Sequence, residues 1–169
     1  MKYLVLTLFF ITVSCKRTEN SIDQHEHLRH VGDIAFDAAL DDPEFEPCHE
    51  DLSFVHYNFG NPDLYEGEKP AIINAFKTID FFQVAEQNTG YITIRFMVNC
   101  NGETGRFRVE QLDFNYKAKK FDKVIVDSIL STTKSLDGWI PATFNDKAFD
   151  YYKYLTFKIV DNKIIDILP

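Results

Sequence analysis

One ordinary domain is the most that 169 residues support, and 45% hydrophobic and 15% aromatic side chains supply enough apolar material for a full core. A formal charge of −8 excludes nucleic acid and anionic lipid as default partners, since both would be repelled.

The chain opens with MKYLVLTLFFITVSC. Lys2 gives a positive flank, and Tyr3 to Val13 form an apolar run interrupted by Thr7 and Thr12. About a dozen apolar positions are too few to cross a bilayer, which takes about 20. They fit the hydrophobic region of a secretory signal. Ser14 followed by Cys15 resembles a bacterial lipobox. That resemblance implies cleavage before Cys15, acyl chains on the cysteine, and a mature chain one unit more negative after the loss of Lys2. A plain secretory signal with a chance cysteine is the alternative. Membrane attachment would come from the lipid rather than from a basic patch. Lys16, where inner-membrane retention uses an aspartate, points to the outer membrane, with the chain facing the periplasm.

Residues 1–14 are thus expected to be a signal peptide, 15–51 a lipidated acidic tether, and 52–169 the folded domain. The tether contains DDPEFEPCHED, with Pro43 and Pro47 breaking regular structure. Ile34 to Leu40 is expected to form one short helix. His25, His27, His30 and His49 invite a metal reading, but a polar, unstructured stretch lacks the rigid ligand set that metals select. No metal or cofactor is expected. Cys48 and Cys100 form either a disulfide, which an oxidising compartment favours, or two separately buried thiols.

Within the domain, Pro70 follows acidic residues at a helix start. Ile72, Ile73, Phe76 and Ile79 keep the spacing of a buried helical face. YITIRFMVNC then alternates at period two, with Ile92, Ile94, Phe96, Val98 and Cys100 on one face. Asn101-Gly102 predicts a two-residue type I′ turn. This places Phe96 opposite Phe107 and Ile94 opposite Val109, all on the apolar face. A helix is expected at 121–136, followed by an irregular loop from Trp139 and Pro141. Strands YYKYLTFKI and KIIDIL close the chain, with Leu155, Phe157 and Ile159 inward. A three-residue turn over Asp161 to Lys163 would set Phe157 opposite Ile167 and Lys158 opposite Asp166. The fold class is α+β, with helices packed on one face of a small antiparallel sheet.

YEGEKPAIINAF, GYITIRFMVNCNGETGRFRV, a helix, LDGWIPA and YKYLTFKIVDNKIIDILP follow the order of the TonB C-terminal domain. Residues 65–169 resemble that family, and most of all its divergent versions in Bacteroidota lipoproteins. The resemblance implies this fold and a habit of binding protein segments by adding a strand at a sheet edge. Energy transduction does not carry over. The chain has neither an inner-membrane helix nor a long proline-rich linker, and only Phe81-Phe82 stands where the family has tyrosine-proline.

The outer face of the sheet gives a separate clue. The predicted register puts Arg95 directly opposite Arg108, with Arg106 on the same side. Like charges across a sheet destabilise it, so something must neutralise them. Tyr91, Tyr152 and Tyr154 share the outward parity, and tyrosine with arginine is the pair most enriched at binding hot spots. Either a partner's carboxylate or phosphate docks here, or the acidic segment Asp41 to Asp51 folds back over the face.

No nucleophile elbow, phosphate loop, zinc-protease helix or C-x-x-C occurs, and no catalytic residues are expected. The sequence is therefore read as a lipid-anchored cell-envelope module that binds another envelope protein through its sheet edge or outer face. The alternative is a periplasmic binder of a small anionic ligand or glycan on the arginine and tyrosine face.

Overall fold

The computed structural model describes residues 33–49, 53–55, 64–81 and 83–168. Cys15, His25, His27, His30 and Phe82 lie outside the described residues. Helix α1 spans Glu68–Phe76. Gly67 precedes it at φ 76°, where a Cβ would come within 2.9 Å of the Ala71 methyl, so only glycine enters the helix this way. Pro70 sits in the first turn, where its missing N–H removes no helical bond. Ile72 and Phe76 are buried, while Ile73 and Ile79 are half-buried. Helix α2 spans Lys123–Lys134. The Asp122 carboxylate caps it by accepting from the Val124 N–H at 2.8 Å. Ile125, Ile129 and Thr133 recur every fourth residue on its buried side. The Thr133 hydroxyl donates to the Ile129 carbonyl at 2.8 Å, which satisfies it inside the core.

The helix expected at Ile34–Leu40 does not form. Asp37 competes for the backbone donors that a helix needs, its carboxylate accepting from the Ala39 N–H at 2.9 Å. Its carbonyl accepts from Leu40 and Asp41, which closes a single turn.

The sheet is α+β in setting, with both helices on one face. Its strands are β1 (Phe54–Val55), β2 (Gly90–Val98), β3 (Thr104–Leu112), β6 (Tyr151–Val160) and β7 (Lys163–Leu168). Strand β2 pairs with β6 from Tyr151 to Ile159 and with β3 on its other side. The second side of β6 is shared by β1, which runs parallel at Tyr151 and Tyr152, and β7, which runs antiparallel from Thr156 onward. Strands β4 (Ala142–Phe144) and β5 (Lys147–Phe149) make a separate hairpin within the region read as an irregular loop. Its turn residues Asn145 and Asp146 have φ of 50° and 61°. Those values suit a type I′ turn, and the two residue types tolerate them.

Both main hairpins reach the expected core register by an unexpected route. Asn99 bonds to Glu103, and the Gly102 N–H donates to the Asn99 carbonyl. The loop is therefore the three residues Cys100 to Gly102, with Gly102 at φ 84°, and not a two-residue turn. That shift is cancelled by a bulge at Arg106, φ 54°. Arg95 still pairs with Arg108 and Ile94 with Val109. Phe96 and Phe107 are not Cα partners, yet their rings stack at 5.2 Å. In the last hairpin the loop is two residues, Asp161-Asn162, since Val160 pairs with Lys163. Ile165 is the extra residue, 53% exposed, and it restores Phe157 opposite Ile167 and Lys158 opposite Asp166.

Ile92, Ile94, Phe96 and Val98 meet α1 and α2 across the core, with Phe157 and Ile159 beside them. Trp139 stands edge-on to both Phe96 and Tyr65, at 5.1 and 4.9 Å. Cys48 and Cys100 are joined as a disulfide with Cα atoms 5.9 Å apart. Cys100 belongs to the hairpin loop and not to the apolar face of β2.

Candidate functional site

The pleat carries Tyr91, Thr93, Arg95 and Met97 to the side of β2 away from the helices. Their cross-strand partners on β6 are Lys158, Thr156, Tyr154 and Tyr152. On β3 they are Leu112, Glu110, Arg108 and Gly105. This outer face has two halves.

Over the Met97 half lies residues 33–49, an acidic strap. Ile34 is buried with Met97 and Tyr152, and Phe45 packs against them. Gly105 makes this possible, since a Cβ there would fall 2.2 Å from Phe45 Cγ, inside the ring. The main chain of the strap is held by side chains of the sheet. The Ile34 N–H donates to the Tyr152 hydroxyl at 3.3 Å. Arg106 Nη1 donates to the Ile34 carbonyl at 3.0 Å, and Arg108 Nη2 to the Ala35 carbonyl at 2.8 Å. Arg108 also grips both oxygens of Asp41, at 2.6 and 2.7 Å. This pair is buried, the Asp41 side chain being 2% exposed and that of Arg108 12%. Burial alone would raise the Asp41 pKa. The hydrogen bonds from Arg108 and from the Asp37 backbone, with the Arg108 and Arg106 charges, win and hold it below its usual value. Asp41 in turn raises the pKa of Arg108.

The fold-back reading is thus the arrangement found, and it begins earlier in the chain than expected, at Ile34. The strap meets the Arg95–Arg108 opposition unequally: Arg108 is ion-paired to Asp41, whereas Arg95 receives only the charge of Asp33 at a distance. Arg95 sits over the Tyr152 ring at 5.1 Å, is 9% exposed, and its Nη1 has no acceptor among the described residues. Its burial lowers its pKa.

The other half is bordered by aromatic rings. Tyr91 meets Phe114 at 5.0 Å and lies nearly parallel to Tyr116 at 5.8 Å, and Lys158 reaches over Phe114 at 5.7 Å. Tyr116 is 73% exposed. The Asp113 carboxylate builds the loop by accepting from the Asn115 and Lys117 N–H groups. Tyr154 is half-buried beside Arg95. The six outward residues therefore divide: Arg106, Arg108 and Tyr152 contact the strap, Arg95 and Tyr154 lie at its margin, and Tyr91 belongs to the aromatic cluster.

Strand β3 forms one edge of the sheet among the described residues. Its last residues are covered by the returning loop, where Ala118 bridges Leu112 and the Lys119 N–H donates to Gln111. Earlier along the strand, the half-buried Phe107 and Val109 lie toward α2, which contributes the half-buried Val126 and Leu130.

Asp150, 0% exposed, accepts from the His49 N–H at 2.7 Å and the Cys100 N–H at 2.8 Å. It is the backbone of His49 that meets this carboxylate, while the imidazole lies 6.1 Å from the Phe149 ring. Cys48, Cys100 and Asp150 converge within 4.8 Å, as metal ligands do. The two sulfurs are bonded to each other and the carboxylate is spent on two N–H groups, so the set offers a cation little.

Ile34, Phe45, Gly105, Phe114 and Tyr116 were not singled out by sequence reasoning. Phe45 was discoverable as an isolated apolar residue in an acidic stretch, whereas Ile34 is one of several apolar residues in IAFDAAL. Among the described residues, no helix is long and apolar enough to cross a membrane. Comparison with protein-family models, with curated proteins and with solved structures gave no match to this chain.

Proposed function

We propose that this chain is a lipid-anchored, non-catalytic module of the cell envelope that binds another envelope protein by receiving an extended segment along the β3 edge. The observation that carries the reading is the edge itself. Among the described residues strand β3 ends the sheet beside α2, with Phe107 and Val109 of the strand and Val126 and Leu130 of the helix half-buried against the same core. A strand edge beside a helix with apolar side chains between them is the setting in which strand addition gives affinity through main-chain bonds and selectivity through side chains. The resemblance to the TonB C-terminal domain points the same way. The strap lends support, because it is a peptide segment of irregular backbone held on this sheet largely by its main chain.

A photo-crosslinking residue at Val109 in the full-length protein tests the proposal in cells, with Asp146 at the β4–β5 tip as the control position. A single adduct mapping to one extended segment of an envelope protein is the expected result. Equal labelling from both positions, or no discrete adduct, would overturn it. Anchoring is tested separately. Cys15→Ala should leave the product unacylated and release it from membranes, and membrane attachment that survives unchanged would refute the lipid anchor.

A further inference from the structure

We infer that the outer face, distinct from the β3 edge, is a second recognition surface, built for an acidic peptide segment of another protein and occupied here by the chain's own strap. The strap is held as a peptide ligand is held. Both main-chain groups of Ile34 are bonded by side chains of the sheet, the Ala35 carbonyl by Arg108, and one carboxylate is taken by a two-pronged guanidinium. One apolar side chain is buried on Met97 and Tyr152, and one aromatic ring rests on the bare backbone of Gly105. Such a pattern asks little of sequence: an apolar residue, a carboxylate several residues on, and an aromatic after it.

The strap also fits the face incompletely. Arg95 is nine-tenths buried between the two halves of this surface, and its Nη1 has no acceptor among the described residues. A buried guanidinium nitrogen left unbonded costs free energy that a better-placed acid would recover. Asp33 at the strap's start is exposed; its charge acts on Arg95, but no hydrogen bond joins the two. A competing segment with one more carboxylate in reach would satisfy Arg95 as well as Arg108. The strap is tied down at its far end by Cys48, so residues 33–47 can leave the face while the disulfide stays closed. Being part of the same chain, it competes at a high effective concentration. Weak acidic peptides are thereby excluded, and only a partner that fills the Arg95 position displaces it.

The test uses the full chain with its disulfide intact and a fluorescent peptide of strap sequence, DIAFDAALDDPEFEP. Asp41→Ala weakens the strap without altering the face. It should speed hydrogen exchange at residues 34–45, leave β2 and β6 unchanged, and raise affinity for the peptide at least tenfold over the unaltered chain. Adding Arg108→Glu should abolish that binding, and so should replacing the peptide's acids with amides. Arg95→Met, which keeps the bulk and removes the unbonded nitrogen, should slow strap exchange and fold normally. Unchanged strap exchange in Asp41→Ala, absence of peptide binding to it, or binding that ignores the peptide's charge would each overturn the proposal. None of these outcomes bears on crosslinking at Val109, so the two surfaces stand or fall separately.

Discussion

Asp41 and Arg108 carry the electrostatic part of the contact between strap and sheet, and their burial makes that contact depend on pH. The folded pKa of Asp41 lies below its ordinary 3.8. Its contribution is therefore complete above that value and is lost as pH falls through the depressed one. Arg108, whose pKa is raised, stays charged throughout, so protonating Asp41 leaves it facing only carbonyls and the nearby Asp37. The methyl resonance of Met97, which lies under the strap, should shift on acidification below pH 3.8. In Asp41→Asn it should already hold the shifted position at neutral pH. On the opposite face the decisive residue is Phe96, fully buried between Phe107 and Trp139. Phe96→Ala should cost about 3–5 kcal/mol in urea unfolding. A near-neutral result would mean that the cavity collapses around the missing ring.

At the level of elements, the two hairpins show what a sequence does and does not specify. The pairing of Ile94 with Val109 and of Phe157 with Ile167 was legible, because a slip of one residue would turn an apolar face to water. The turns were not legible. Asn101-Gly102 carries the strongest two-residue signal, yet Asn99 wins the turn. Its side-chain oxygen accepts from the Asn101 and Glu103 N–H groups and its amide donates to the Glu46 carbonyl. The bonds to Asn101 and Glu103 favour the longer loop, and a bulge at Arg106 absorbs the difference. Ile165 does the same in β7. Core register thus outranks turn preference, and bulges reconcile them. The bulge has a second effect, since it sets Gly105 opposite Met97 beneath Phe45. Gly105→Ala should push the Phe45 ring away and loosen the strap. The apolar core lies on the other face, so the unfolding midpoint should move little. Loss of protection in residues 34–45 with β2 still protected is the expected exchange pattern. Loss in both would show that the strap and core fold as one unit.

Across the whole molecule, three distant stretches meet at one carboxylate. Asp150 immediately precedes β6, His49 ends the described part of the strap, and Cys100 lies in the hairpin loop, with the disulfide alongside. The arginine opposition on the outer face was readable from the strand register. This junction was not, because nothing local marks Asp150 as different from other acidic residues in a chain with 26 of them. The disulfide closes a loop with a sequence separation of 52. That loop contains α1 and β2, so the bridge constrains the unfolded chain across the middle of the sequence. Replacing both cysteines by serine should lower stability by about 4 kcal/mol from loop-closure entropy. Asp150→Ala should cost about 1–3 kcal/mol for each N–H left without an acceptor. The two changes share one junction, and in the absence of the bridge the His49 N–H can turn to water. The triple variant should therefore lose less than the sum of the separate losses. Strict additivity in urea unfolding would show that Asp150 orders β6 independently of the disulfide. A loss larger than the sum would show that the carboxylate holds the strap end to the hairpin after the sulfurs part.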